Sequence, residues 1–270
     1  MNGRLLSCLT GLLLAGACTS RQPVSQLPAA PAARVAAAPA TPPLPDSLRL
    51  TPVPAVAALP DTLRQAIAAL YQQLGPDTVG LRPAVLTQAC VGYLALRADK
   101  GSRAGVLAVA DMDLPNTAER LWVLDPVAGR VLVHTRVAHG RGSGHLRARR
   151  FSNVRKSACT SLGFYRTGPT YDGKHGYSRY LHGLDPGQNA NAASRYVVLH
   201  AANYATPAYV AAHGHLGYSR GCPALPPAQY RQVISRLPAG SVLLLSGPGL
   251  ASRWLDGAAA GRQFARRGWR

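Results

Sequence analysis

The sequence predicts a mostly β, α+β domain that opens on two helices, and three observations predict it. Glycine (27) and proline (22) are plentiful while aromatics make up only 6% of 270 residues, a balance that favours turn-rich β structure over a helical bundle. Short apolar runs bounded by turn residues recur from residue 105 onward. Helical periodicity is confined to two stretches before that point and one after residue 225. A chain of this length that is 47% hydrophobic buries a real core. Five cysteines are too few for a disulfide-stapled scaffold. No apolar run reaches the roughly 18 residues of a membrane-spanning helix, which excludes a polytopic membrane protein.

The first twenty residues read as an export signal, with one charge at Arg4, an apolar stretch from Leu5 to Ala15, then small residues. The run Leu14-Ala15-Gly16-Ala17-Cys18 resembles the lipobox of bacterial lipoproteins. That resemblance implies removal of residues 1–17, lipidation of Cys18, and a membrane-anchored chain facing the periplasm or cell envelope. An ordinary secretory signal cut near Ala17 is the alternative, and both export the chain. Residues 18–60 follow as a Pro/Ala-rich linker, with ten prolines and eleven alanines in the 42 residues from Thr19 to Pro60. Such a segment buries too little apolar surface to fold and acts as a semi-rigid spacer, reaching at most on the order of 130 Å.

The folded domain is expected over residues 61–249. Leu63, Ile67, Leu70, Tyr71 and Leu74 fall at helical spacing until Gly75-Pro76 ends the run. Pro83 opens a second helix with Val85, Ala89, Tyr93 and Leu96 on one face and Cys90 buried beside it. Three strands follow at 106–110, 121–124 and 131–137, the last two joined by a turn at Asp125-Pro126-Val127-Ala128-Gly129. Residues 140–218 are glycine- and tyrosine-rich with few helical patterns, and Tyr196–His200 reads as a strand. A helix is expected from Pro226 to Leu237, since Tyr230, Val233, Ile234 and Leu237 repeat at i, i+3, i+4, i+7. A last strand covers Val242–Leu245. Residues 250–270, with five arginines against one aspartate, are expected as a solvated basic tail.

The charge excess, +19 from 30 Lys and Arg against 11 acids, is a statement about partners. No recognition helix or base-stacking motif accompanies it, which argues against nucleic acid. An exported chain meets anionic wall polymers and lipids instead.

The chemistry gathers around Cys222. In Tyr218-Ser219-Arg220-Gly221-Cys222-Pro223 a cysteine follows a glycine just upstream of a helix. A cysteine nucleophile acts through its thiolate, so it needs a base or cation nearby and donors for the oxyanion formed on attack. Gly221 lets backbone N–H groups approach a carbonyl oxygen. His200, closing an apolar strand, is the candidate base. A lone cysteine in a glycine-flanked loop can also be purely structural.

A histidine, a gap, then Ser-x-Gly-Cys resembles the L,D-transpeptidase catalytic domain, the YkuD-like murein family. Further phrases fit in order: His139-Gly-Arg-Gly-Ser-Gly144, Phe151-Ser-Asn153, Thr160-Ser-Leu-Gly-Phe-Tyr-Arg-Thr-Gly168, Gly173-Lys-His-Gly-Tyr177 and Gly221-Cys-Pro-Ala-Leu225. The likeness spans about residues 83–246. It implies a mostly β, sandwich-like domain with the cysteine in a cleft, a thioacyl-enzyme formed on a peptidoglycan stem peptide, transfer to an amine, and no cofactor. Carried over, Cys222 is the nucleophile and His200 its base, oriented through the Ala201 carbonyl. Ser219, Arg220 and Gly221 shape the loop, with N–H groups near Gly221 and Cys222 as the oxyanion site. Arg220 stands where the family usually has a second histidine, and Ala201 where it has Gly or Ser. Carbapenems are implied to acylate Cys222. A weakly active or inactive wall-binding module of the same fold, or an L,D-carboxypeptidase, is the alternative.

Other constellations compete. His213-Gly214-His215 has a spacing that brings two imidazoles to one metal, with Cys222 as a third ligand, but no further partner stands at a recognisable spacing. The glycine loop 139–144 imitates a phosphate cradle without the helix that should follow. A cleft-lining loop suits it better, with His139 and Arg141 as contacts to a stem-peptide carboxylate. Nine of eleven tyrosines lie between Tyr165 and Tyr230, and Tyr165, Tyr171 and Tyr177 are candidates for the substrate groove. Lys174-His175 reads as an exposed polar loop. Whether Cys90 pairs with Cys159 is left open by the sequence.

Overall fold

Alternation along the strands decides how the layers pack. A computed structural model of the chain describes residues 50–97 and 105–270. Helix α1 (Asp61–Leu74) and helix α2 (Pro83–Leu96) precede β1 (Leu107–Asp111), β2 (Glu119–Asp125) and β3 (Arg130–Arg136). Then come β4 (Gly163–Gly173), β5 (Gly176–Gly183), β6 (Val198–Ala201), α3 (Pro207–His213) and β7 (Ala224–Leu225). Helix α4 (Tyr230–Arg236), β8 (Val242–Ser246) and α5 (Gly257–Arg267) complete the order. The strands form a mixed sheet in the order β3-β2-β1-β8-β4-β5-β6-β7, with β1–β8 and β6–β7 parallel.

Leu107, Val109, Trp122, Leu124, Phe164, Val242 and Leu244 point to one face, where they meet the buried sides of α1 and α2. Their neighbours Ala108, Ala110, Leu121, Val123, Tyr165, Leu243 and Leu245 point to the other. There they meet Leu181 of β5, Leu199 of β6, Leu225 of β7 and Val233 and Ile234 of α4. The sheet thus curls around a second core in a sandwich-like, mostly β arrangement, as expected. Strands buried on both faces read as unbroken apolar runs, and β1 and β8 do so.

Helix α2 differs from its expected single apolar face: every residue from Leu86 to Leu96 except Thr87 is buried, because α1, α5 and the sheet enclose it. Helix α4 begins at Tyr230 rather than Pro226, since Gln229 and Tyr230 both donate to the Pro226 carbonyl and form a turn first. The β4–β5 hairpin and α3 occupy the stretch where periodicity showed little.

Both ends of the domain differ from expectation. Residues 50–60, assigned by composition to the linker, pack on the body. Val53, Val56 and Leu59 join the first core, the Thr51 N–H donates to Asp113 at 2.5 Å, and Arg82 donates to the Thr51 carbonyl at 2.8 Å. Residues 250–270 are not a solvated tail. Asp256 caps α5 by accepting from the Ala259 N–H at 2.9 Å, and Leu255, Phe264 and Trp269 lie on the α1–α2 layer, with their rings 5.1 Å apart in the Phe264–Trp269 pair. Net charge hid this, because the arginines fall on the outer side while apolar residues face in. Phe264→Ala should therefore cost about 2 kcal/mol, roughly half a fully buried Phe, and lower the melting temperature by about 4–8 °C. A change under about 1 °C in thermal denaturation would restore the tail reading. The signal segment, Cys18 and residues 19–49 of the linker lie outside the described residues.

Candidate active site

Backbone pairing builds the site from three segments. Parallel pairing of β6 with β7 sets His200 opposite Ala224, two residues beyond Cys222. The segment after β3 runs alongside: Ala138 bridges Ala224, Gly140 bridges Ser219, and Ser219 N–H donates to the His139 carbonyl at 3.0 Å. On its other side the Gly142 N–H donates to the Ala158 carbonyl at 3.0 Å. These backbones lie so close that a Cβ on Gly140 would stand 2.3 Å from the Ala158 oxygen. A Cβ on Gly221, whose φ is +125°, would stand 2.7 Å from the Cys159 oxygen. The glycines of residues 139–144 thus serve close packing of main chains rather than a phosphate cradle.

Cys222 and His200 open onto one cleft of about 630 Å³. His200 is 3% exposed, and its Nδ1 lies 2.8 Å from the Ala201 carbonyl oxygen. A carbonyl only accepts, so Nδ1 carries the proton and the Nε2 lone pair is left free. Burial lowers the His200 pKa below its ordinary value. The Ala201 bond opposes that shift, and His175 and Lys174 add to it. Burial likewise pushes the Cys222 thiol up, against the Val198 N–H and the charges of Arg195 and Lys174, which favour thiolate. Both directions favour a resting pair of neutral thiol and neutral imidazole. Cys222 Sγ lies 3.5 Å from the Tyr196 carbonyl.

The loop is braced by Ser219, whose hydroxyl donates to the Cys222 carbonyl at 2.6 Å and accepts the Gly221 N–H at 3.0 Å. Gly221 N–H is therefore engaged inside the loop, which corrects its expected place among the oxyanion donors. Arg220 is exposed at the cleft.

Four of the expected substrate contacts lie elsewhere. His139 is fully buried, its Nδ1 2.8 Å from Arg120 and its Nε2 3.2 Å from the Gly144 carbonyl. Arg141 is exposed but outside the cleft lining. Tyr165 is fully buried in the second core, its hydroxyl donating to the Ser161 carbonyl at 2.9 Å. Tyr177 packs on that core under Arg231, 5.3 Å from its ring. Tyr171 does line the cleft, stacked on Tyr180 at 4.3 Å.

Several cleft residues were not among the expected site residues, and Lys174 and His175, read as an exposed polar loop, are exposed but line the cleft. The hairpin tip between β4 and β5 lays His175 on His200, with ring centroids 4.4 Å apart, and brings Lys174 beside it. The flanking Gly173 and Gly176 were the available sign of a tight hairpin. Arg195 clamps the 152–161 loop by donating to the carbonyls of Ser152 at 2.6 Å and Cys159 at 2.5 Å and to Ser161. Tyr204 and Tyr218 also line the cleft. Among the described residues, three of the four non-glycine residues with positive φ, Lys156, Ala158 and Tyr196, line this cleft, where strained backbone concentrates.

His213 and His215 have ring centroids 6.4 Å apart, each with Nδ1 at a main-chain carbonyl, of Tyr209 and Leu216 respectively. Among the described residues no three His, Cys, Asp or Glu side chains are grouped to hold a metal ion. Cys90 and Cys159 are both free thiols.

Comparison with solved structures finds an L,D-transpeptidase from Mycobacterium smegmatis at 18% identity and TM-score 0.33, with 53% of this chain and 59% of that one covered. The helical cell shape determining protein Pgp2 from Campylobacter jejuni aligns at 14% identity and TM-score 0.37, covering 64% and 60%. An L,D-transpeptidase (Yku) from Stackebrandtia nassauensis aligns at 16% identity and TM-score 0.33, covering 68% and 78%. The chain thus spans about six tenths of the length of the first two. No curated protein matches it in sequence. The family description "L,D-transpeptidase catalytic domain" matches residues 77–245, more than half of the chain, which takes in the hairpin, His200, the Cys222 loop and β8 up to Leu245, and the chain belongs to that family.

Proposed function

We propose that this protein is an exported L,D-transpeptidase that acts on peptidoglycan stem peptides through a thioester on Cys222. One observation carries the reading: a buried imidazole, fixed by the Ala201 carbonyl with its Nε2 lone pair free, shares one cleft with a loop-borne cysteine. The contact is made by main chain, so it is kept with Ala201 in place of Gly or Ser.

The residues support the following sequence. The Cys222 sulfur attacks the carbonyl of the amide between the third and fourth residues of the stem as His200 Nε2 takes the thiol proton. A neutral resting pair means proton transfer accompanies attack. The tetrahedral adduct collapses, its C–N bond breaks, and the imidazolium returns the proton to the departing amine. An acceptor amine then attacks the thioester, loses its proton to His200, and expels the Cys222 thiolate, which is reprotonated. Water as acceptor gives the carboxypeptidase outcome.

The test is incubation of the purified protein with a stem tetrapeptide and an acceptor amine, read by mass spectrometry. Loss of the fourth residue with gain of the acceptor is expected. Peptide unchanged by folded protein would overturn the reading.

The proposal includes lipid anchoring through Cys18, supported by the lipobox-like run before it. Among the described residues no helix is long and apolar enough to cross a membrane. Cys18→Ser should release the protein from the membrane fraction or leave an unprocessed precursor. Unchanged fractionation would remove the anchor from the proposal.

A further inference from the structure

Charge is distributed unevenly around the cleft. Its lining holds five cationic side chains, Arg155, Lys156, Lys174, Arg195 and Arg220, and no Asp or Glu. Arg195 is consumed by the carbonyls of Ser152 and Cys159. The other four are exposed, and no ion pair among the described residues engages them. They come from three separate segments: the 152–161 loop, the hairpin tip and the cysteine loop.

Carboxylates that could neutralise them are occupied elsewhere. Asp111 and Asp113 pair with Arg82, Asp113 also with Arg149, and Glu119 with Arg136. Asp185 is bonded to Ser252 and to the Phe164 N–H. Asp172 is on the same hairpin as Lys174 but outside the lining. An unneutralised cationic surface around a concave site focuses its field on whatever anion enters. Charge-assisted bonds to carboxylates are also about twice as strong as neutral ones.

We infer that this cleft selects peptide substrates bearing free carboxylates and rejects the same peptides with those groups as carboxamides. The inference rests on the transpeptidase reading and names the substrate class of that site. A carboxamide matches a carboxylate in size and shape but is neutral and replaces one acceptor oxygen with an NH2 donor, which a cationic surface cannot pair, so discrimination amounts to about tenfold.

Two alkylating reagents test this directly, because iodoacetate and iodoacetamide differ only in that group. Each forms a C–S bond to the same Cys222 thiolate and expels iodide, so their rate ratio is independent of the thiol's pKa. The reference is the ratio at Cys222 in the urea-unfolded chain at equal salt, followed by peptide mapping. In native protein at low salt the iodoacetate-to-iodoacetamide ratio should exceed the reference about tenfold. It should fall towards the reference in about 0.5 M NaCl and in Lys174→Gln/Arg220→Gln. A native ratio at or below the reference overturns the inference.

In a second arm, the tetrapeptide L-Ala–γ-D-Glu–meso-diaminopimelate–D-Ala should protect Cys222 from iodoacetamide at about tenfold lower concentration than its bis-amidated twin. Equal protection, or none from either, also overturns it. Tetrapeptide turnover and carbapenem acylation of Cys222 are scored separately, so an unshifted ratio or equal protection alongside turnover overturns this inference and leaves the transpeptidase reading standing.

Discussion

Exposure to a carbapenem should leave one covalent adduct on this protein, on Cys222, visible by intact-mass measurement and peptide mapping. The adduct should vanish in Cys222→Ala and form about 10²–10⁴-fold more slowly in His200→Ala, the usual cost of losing a general base. The size follows from the resting state. Burial raises the thiol pKa and lowers that of His200, so little thiolate exists in advance and attack depends on transfer to Nε2. Cys90 is fully buried, and burial alone drives its thiol well above the ordinary range, so it is inert towards an acylating agent. Cys159 is also buried. An adduct on either would overturn the assignment of the nucleophile, and an unaltered rate in His200→Ala would remove His200 as base.

A second large effect is expected far from the sulfur. Arg120 is fully buried, and among the described residues no carboxylate forms an ion pair with it, though the Asp111 charge acts on it. Its guanidinium donates to the carbonyls of Met112, Leu114 and Val137 and to His139 Nδ1, the last at 2.8 Å. Arg120→Met would leave three carbonyls and one ring nitrogen unpaired at about 1–3 kcal/mol each, so a loss of at least about 4 kcal/mol is expected. Thermal denaturation should show the melting temperature falling by roughly 8–16 °C, with Arg120→Lys between the two. A variant melting within about 2 °C of the parent would mean the guanidinium bonds contribute little.

The same pair makes stability depend on pH. Burial, then the Arg120 charge, lowers His139 to about 3, while an unfolded chain's histidine titrates near 6.5. The folded state therefore refuses a proton that the unfolded state accepts. The stabilisation is complete above about pH 6.5 and is lost progressively as pH falls towards 3, by about 2 kcal/mol at pH 5. His139→Gln, which keeps an acceptor but does not titrate, should flatten urea midpoints between pH 7 and 5. An equally steep dependence in that variant would place the titration on another group.

Local signals carried much of the reading. Unbroken apolar runs named β1 and β8, periodicity named α1, and the Ser-x-Gly-Cys run with an upstream strand-end histidine named the pair that shares the cleft. The orientation of His200 through the Ala201 carbonyl came from the family resemblance, and the contact is local, one residue along the chain, so it does not depend on a distant partner. Each of these depends on residues within a few positions of one another.

Tertiary structure decided the rest. Tyr165 and Tyr171 are six apart on β4, so strict alternation sends both to one face. A register shift between Thr167 and Thr170 breaks the parity, and one ring is core while the other lines the cleft. Composition marked residues 250–270 as basic, but which side of α5 meets α2 depends on contacts more than 150 residues distant, such as that of the Tyr93 hydroxyl with the Trp269 carbonyl. His139 beside a glycine loop had the look of a ligand contact until Arg120, on a neighbouring strand, claimed its nitrogen. Likewise the hairpin tip reaches His200 only because β5 pairs with β6. Sequence determined which residues could do the chemistry, since reactivity and turn geometry are properties of a few adjacent residues. Which of them face solvent, core or cleft was settled by long-range pairing, whose register no local pattern encodes.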